Sequence, residues 1–437
     1  MKNARHPLSL YIHIPFCTLK CAYCDFNSYA KLEDLIPPFV EALIAEMRLW
    51  SPVVQSRPVP TVFFGGGTPS LTPLPELARI MAALRDCFAL EPEAEITLEA
   101  NPGTVNRDYL RGLADLGVNR ISFGVQSFDD GELKALDRIH TAADALRCYR
   151  WAREAGFQRV NLDLIYGLPF DSPSASRRAA QGERVMMERW QATLEQAIAL
   201  GPEHLSLYAL TVEEGTKLAH DIERGRAPAP DGDLQAAMYE WSGERLARAG
   251  YRQYEISNWC RPGEECRHNL VYWRNGQWLG LGPGAHSHLG RKEEGGRGKE
   301  GVTYRFADVY SPRQYIERVR ETAAAGIDAG GAAPALLASM RQVTFVDPQP
   351  AELQMADTAI LALRLNEGLS VDAFARRFGR SPDDVYGAVF AEMTALGLLE
   401  RAGGHPDGCS GERIRLTDRG RYLANEVFVR LLPDQPL

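Results

Sequence analysis

The chain has 437 residues, 45% hydrophobic and 24% charged, the balance of a soluble globular protein with a sizeable core. Lys and Arg number 49 against 57 Asp and Glu, and the net charge of −8 excludes a nucleic-acid protein held by a broad basic surface. Eight cysteines in this length form no disulfide framework, and no apolar run has the length of a leader or a membrane span, so a cytoplasmic location is expected.

The first half repeats one unit: a short apolar strand, a Gly- or Pro-rich turn, a helix. Six strands are predicted, SLYIHI (9–14), TVFF (61–64), EITLEA (95–100), RISFGV (120–125), RVNLDLIY (159–166) and HLSLYAL (204–210). Each is rich in Val, Ile, Leu, Phe or Tyr, as buried parallel strands are. Helical patterns lie between them at 35–50, 74–88, 104–116, 129–136, 142–155 and 190–200. Alternating βα units imply an α/β fold with a parallel sheet, open or closed into a barrel. Two segments, DSPSASRRAAQGERVMM (171–187) and GRKEEGGRGKEGV (290–302), read as mobile insertions with little to bury. From about Glu352 the pattern changes to helices over 353–365 and 385–396, then a hairpin and a last helix, which suggests a small winged-helix-like α+β domain. Residues 353–437 carry ten Lys and Arg against twelve Asp and Glu, so a cover or docking module is expected rather than a DNA-binding one.

Cys17, Cys21 and Cys24 stand in HIPFCTLKCAYCDF with spacing C-x3-C-x2-C. Three thiolates can hold three irons of a 4Fe–4S cluster and leave the fourth open to a small molecule, whereas electron-transfer clusters and structural zinc sites use four ligands. GGGTP, Gly65 to Pro69, follows a strand and lets a backbone approach a ligand closely. Glu99, Gln126, Arg138 and Asp163 fall near predicted strand ends, the active-site face of barrel folds. Asp163 and Gln126 suit ribose hydroxyls, Arg138 a carboxylate, and Glu99 an ammonium group. Cys87 and Cys148 fit helix cores, Cys409 a polar loop, and Cys260 and Cys266 with His268 fall short of a second closed metal site.

CTLKCAYC together with GGGTP resembles the radical S-adenosylmethionine (SAM) superfamily. The resemblance implies a partial (β/α)6 barrel, a 4Fe–4S cluster on Cys17, Cys21 and Cys24, and SAM bound at its open iron. LYIHIPFCTLKCAYCDF, FFGGGTPS, EANPGTV, RISFGVQSF, LDRIHTA and NLDLIYGLP, in that order, are similar to the oxygen-independent coproporphyrinogen III oxidase group and cover most of residues 9–170. By that resemblance Tyr11, Gly66, Gly67, Thr68, Glu99, Gln126, Arg138 and Asp163 would contact SAM. The true decarboxylase carries a fourth cysteine where this chain has Phe26, which leaves Phe26 beside the cofactor.

HNLVYW at 268–273 resembles the H-N-x-x-Y-W motif of the HemW haem chaperone family, and the tail LTDRGRYLANEVF is also similar. That resemblance makes His268 an axial haem ligand, with Tyr272 and Trp273 as walls, against the alternative of a structural histidine near the barrel mouth. It implies a haem-transfer protein with no residue assigned a catalytic role, and the radical decarboxylase as the alternative. Implied partners are haem, an acceptor haemoprotein and an electron donor for the cluster, with no nucleic acid. A homodimer and peripheral membrane contact through the acceptor stay open. The expected division is a barrel core (1–215), a barrel-covering extension (216–345) and the C-terminal domain (346–437).

Overall fold

A computed structural model describes residues 7–54, 56–168, 179–290, 302–403 and 411–433. The six predicted strands are β1 (Ser9–Ile14), β2 (Pro58–Gly66), β3 (Ala89–Ala100), β4 (Arg120–Gln126), β5 (Arg159–Tyr166) and β6 (His204–Ala209). They lie side by side in that order, every neighbouring pair parallel. The side chains of β1, β4 and β5 are almost all buried, which is why the sequence shows continuous apolar runs there rather than alternation. The helices between them cover the outer face. Helix Ile36–Val54 buries Phe39, Leu43, Met47 and Trp50, and the Trp50 ring stacks on Phe306 with centroids 5.3 Å apart. Helix Ala142–Glu154 starts on a capping box in which Thr141 and Asp144 each satisfy the other's backbone N–H.

The sheet continues beyond these six. β7 (Arg252–Glu255) and β8 (Asn258–Cys260) form an antiparallel extension on β6. β9 (Trp278–Leu281) adds a seventh parallel strand on the far side of β1, followed by antiparallel β10 (His286–Gly290), β11 (Thr303–Asp308) and β12 (Val343–Gln349). The described sheet therefore holds twelve strands. Residues 261–277 run from one edge of the parallel set to the other. They carry a short helix, Arg267–Trp273, that meets β2 through the His268 side chain at Thr61 and β3 through the His268 N–H, which donates to Glu95, so it lies inside the curl of the sheet.

Helix Ala179–Leu200 starts well before the predicted 190. Residues 179–187 thus belong to it and not to a mobile insertion; Gly and Arg in the run masked the helix-forming VMMERW. Residues 171–178 and 291–301, and Cys409, lie outside the described residues. After β12 a second apolar cluster forms around Phe374, Phe390, Met393, Leu416 and Val427. It holds helices Ala351–Leu363, Val371–Phe378, Pro382–Ala395 and Ala424–Leu431 and the hairpin Leu399–Gly403 with Glu412–Leu416, the predicted winged-helix pattern plus one helix. This unit packs on the closing segment: Arg377 Nη1 donates to the Asn275 carbonyl at 2.9 Å, and the Arg364 guanidinium lies over the Trp273 ring.

Candidate functional site

The carboxyl ends of β1 to β6 surround a cavity of about 430 Å³. Its walls include Cys17, Cys21, Cys24, Phe26, Gly66, Gly67, Thr68, Glu99, Gln126, Arg138 and Asp163. Residues as far apart in sequence as Cys17 and Glu213 meet there because parallel βα units put every strand's carboxyl end on one face.

The cysteine loop leaves β1 at Pro15 and is tied at both ends. Phe16 and Cys17 pair with Tyr29 and Ala30, and Tyr29 N–H donates to the Pro15 carbonyl at 2.7 Å. Asn27 anchors the middle, its Nδ2 donating to the carbonyls of Pro283 (2.8 Å) and Tyr310 (3.1 Å). Cys17 Sγ lies 3.4 Å from Thr68 Oγ1, and Cys21 Sγ accepts from Arg138 Nη1 at 3.3 Å. Burial pushes the Cys17 and Cys24 thiols up. Among the described residues no three Cys, His, Asp or Glu side chains converge tightly enough for a single ion. Three thiolates that each take a different iron of a cube need not do so.

The GGGTP turn runs against that loop. Gly67 N–H donates to the Ile14 carbonyl and Thr68 N–H to the Phe16 carbonyl, both at 2.8 Å. Gly66 has φ +110°, and a Cβ there would sit 2.5 Å from the His13 ring, so the position demands glycine. Gly66 N–H donates to Glu99 Oε2 at 3.3 Å. Burial, with Asp163 nearby, raises the Glu99 carboxyl to about 8 against the pull of that N–H. Asp163 is also raised, by burial, although it accepts from Ser122 Oγ and Asn161 Nδ2 at 2.8 Å each. Gln126 has φ +67° beside a bulge in the β4–β5 pairing, which turns the strand end at the cavity wall. Arg138 Nη2 donates to the Gly124 carbonyl at 2.6 Å, while its buried Nε has no partner.

Two predicted residues lie elsewhere. Tyr11 is one layer down, its hydroxyl 2.9 Å from His13 Nδ1 and its ring stacked on Phe63. His268 lies deeper still, 1% exposed, packed on Phe63 and facing Thr61, five residues or roughly 16 Å of strand before Gly66. Its Nδ1 is 2.8 Å from Thr61 Oγ1 and its Nε2 is 2.9 Å from Tyr272 Oη. Both ring nitrogens thus have hydrogen-bond partners within the fold. Tyr272 packs edge-on against His268 as a wall, and Trp273 faces Arg364 of the C-terminal unit. Cys266 donates to Glu95 at 3.7 Å, and Cys260 is fully buried.

Sequence reasoning missed His13, Asn27, Ser122, Asn161 and Tyr208, the last of which lines the cavity from β6. Their signal was available only in part: His13 and Asn161 sit in strand motifs, but alternate orientation along a strand does not say which polar residue faces a ligand. Among the described residues no helix is long and apolar enough to cross a membrane.

Comparison with known proteins agrees with this architecture. Residues 11–177 match the family described as the Radical SAM superfamily, and residues 350–423 match the HemN C-terminal domain. The chain is 38% identical to the protein named Heme chaperone HemW of Mycobacterium tuberculosis, over 98% of this chain and 95% of that one. It is 32% identical to the Bacillus subtilis protein of the same name, over 96% and 98%. The structure of Escherichia coli coproporphyrinogen III oxidase (HemN) superposes with a TM-score of 0.76 at 22% identity, covering 98% of this chain and 91% of that chain, a likeness of fold. With relatives this similar over nearly its whole length, the chain belongs to the HemW haem chaperone family of the radical SAM superfamily.

Proposed function

We propose that Cys17, Cys21 and Cys24 hold a 4Fe–4S cluster, that SAM binds beside it in the cavity, and that the protein carries haem to an acceptor haemoprotein in the cytoplasm. One observation supports the cofactor reading above the others: three thiols, two half-buried carboxyls and an arginine with an unpartnered Nε converge on one cavity. Bound together, such a cluster and SAM supply one-electron radical chemistry that no side chain can. The chain's own residues bind and orient. Gly66 and Gly67 offer bare backbone for close approach. Glu99, which has no cation beside it among the described residues, takes the ligand's positive end, and that charge in turn favours its ionised form. Asp163 and Gln126 accept from and donate to ribose hydroxyls, and Arg138 uses its free Nε on a carboxylate. An electron donor would reach the loop over its exposed residues, Leu19 and Phe26 among them. Haem carriage is supported by the name of the relatives, not by a cavity assigned to haem.

The test is anaerobic. Reconstituted protein with SAM, a reductant and coproporphyrinogen III is assayed for porphyrin products, and the same preparation is titrated with haem and mixed with an apo-haemoprotein. Expected are SAM binding, haem uptake, haem transfer and no protoporphyrinogen. Catalytic protoporphyrinogen formation would make the chain a decarboxylase despite Phe26, and absence of haem uptake would end the carrier reading.

A further inference from the structure

A line of buried polar side chains runs from the closing segment to the cavity. Asn269, second residue of HNLVYW, places Nδ2 3.1 Å from Tyr254 Oη. Tyr254 Oη is 3.0 Å from His204 Nε2, and His204 Nδ1 is 2.6 Å from Asn161 Oδ1. Asn161 Nδ2 donates to Asp163 Oδ1 at 2.8 Å and to Ser122 Oγ at 2.7 Å, and Ser122 donates to Asp163 Oδ2 at 2.8 Å. Asn161, Ser122 and His204 are 3–4% exposed, so water does not complete these bonds.

The direction of each proton follows from chemistry. Asp163 accepts, so Asn161 must present its NH2 to it and its carbonyl to His204. The carbonyl accepts, so His204 carries its proton on Nδ1. Burial and the nearby Arg120 hold the His204 pKa well below its ordinary value, so Nε2 is bare and the Tyr254 hydroxyl donates to it. The Tyr254 oxygen then accepts from Asn269. Every donor points towards Asp163, and bonds aligned in this way polarise one another.

We propose that Asn269, Tyr254, His204 and Asn161 are positioning residues that fix the Asp163 carboxylate for a ligand hydroxyl. The chain gives a residue of the HNLVYW motif an action on the cofactor cavity from within the barrel floor. It also reaches the C-terminal unit, because Asn366 N–H donates to the Tyr254 carbonyl at 2.9 Å. The proposal rests on the reading of the cavity as a SAM site with Asp163 at the ribose.

Tyr254→Phe keeps the ring and removes one donor. Binding to the anaerobically reconstituted protein is measured by equilibrium dialysis with SAM and with an analogue lacking both ribose hydroxyls. The variant is expected to bind SAM about three- to tenfold more weakly and to leave the analogue's affinity unchanged. Asn269→Leu, at the end of the chain, should give a smaller loss of the same selectivity. Equal losses for both ligands would reduce Tyr254 to a structural residue, and unchanged SAM affinity would remove it from the site; either overturns the proposal. Nitrogen-15 NMR of ligand-free wild-type protein supplies the second readout. His204 must show its proton on Nδ1, and a proton on Nε2 would overturn the chain whatever the ligand does. Wild-type protein that binds both ligands equally overturns the ribose reading, and the proposal with it; an Nδ1 proton on His204 would then trace the failure to the ligand assignment.

Discussion

Single residues set the charge of the cavity. Glu99 keeps its proton up to about 8 in the folded protein against an ordinary value of 4.5. A raised folded pKa means that the stability from this group is full below about 4.5 and is lost as pH rises through 8. Ligand-free Glu99→Gln should therefore melt a few degrees above wild type at pH 9 and equal to it at pH 4.5, while binding SAM at least tenfold more weakly; thermal melts at the two pH values and dialysis check it. His268 acts differently. Removing an imidazole that bonds Thr61 and Tyr272 leaves the Tyr272 hydroxyl without its partner and a cavity against Phe63, while Thr61 keeps its bond to Ser9, so His268→Ala should cost about 2–4 kcal/mol and several degrees of melting temperature. Haem absorption of the folded variant should match wild type, and a lost or shifted Soret band would return His268 to the iron. The motif itself was legible in the sequence. Its depth was not, because spacing along a chain says nothing about which end of a barrel a helix plugs.

At the scale of elements, the cysteine loop depends on its anchors. Asn27→Ala removes donors to the Pro283 and Tyr310 carbonyls and leaves the turns around them unaltered. Iron release from the reconstituted variant to a chelator should be several times faster than wild type, with a melting temperature within a few degrees of it. The six barrel strands were legible because full burial writes itself as short runs of Val, Ile, Leu and Phe between turns. β9 was not: WLGL is four residues long, between a Gly-containing turn and Gly282, and only its pairing with β1 makes it a strand. The antiparallel extension was equally hidden, since β10 and β11 flank a run of Gly and charge that dominates any local reading.

For the whole molecule, the cavity, the closing segment and the C-terminal unit form one packed series. Arg305 of β11 pairs with Asp357 at 2.7 Å, and Asn275 Nδ2 donates to Thr358 Oγ1 at 3.1 Å, so the C-terminal unit holds the same segment that fills the barrel. A ligand bound only by the folded form must stabilise it. SAM at a hundredfold excess over its Kd should add about 2.7 kcal/mol and raise the melting temperature by a few degrees. Cys21→Ser, which would remove one ligand of the proposed cluster, should show little of that shift under the same anaerobic conditions.

The seventh parallel strand has a further consequence. Ser9 to Ile12 pair with Trp278 to Leu281, so one edge of β1 waits for a partner from well beyond the middle of the chain. At roughly 5–20 residues per second of synthesis, that partner leaves the ribosome on the order of tens of seconds later. Until then LYIHI presents an open, apolar ribbon of peptide groups to any other nascent chain. The cost of completing the barrel so late is a period of vulnerability during translation, and codon changes that slow synthesis before residue 278 should lower the yield of folded protein without altering a single contact in it.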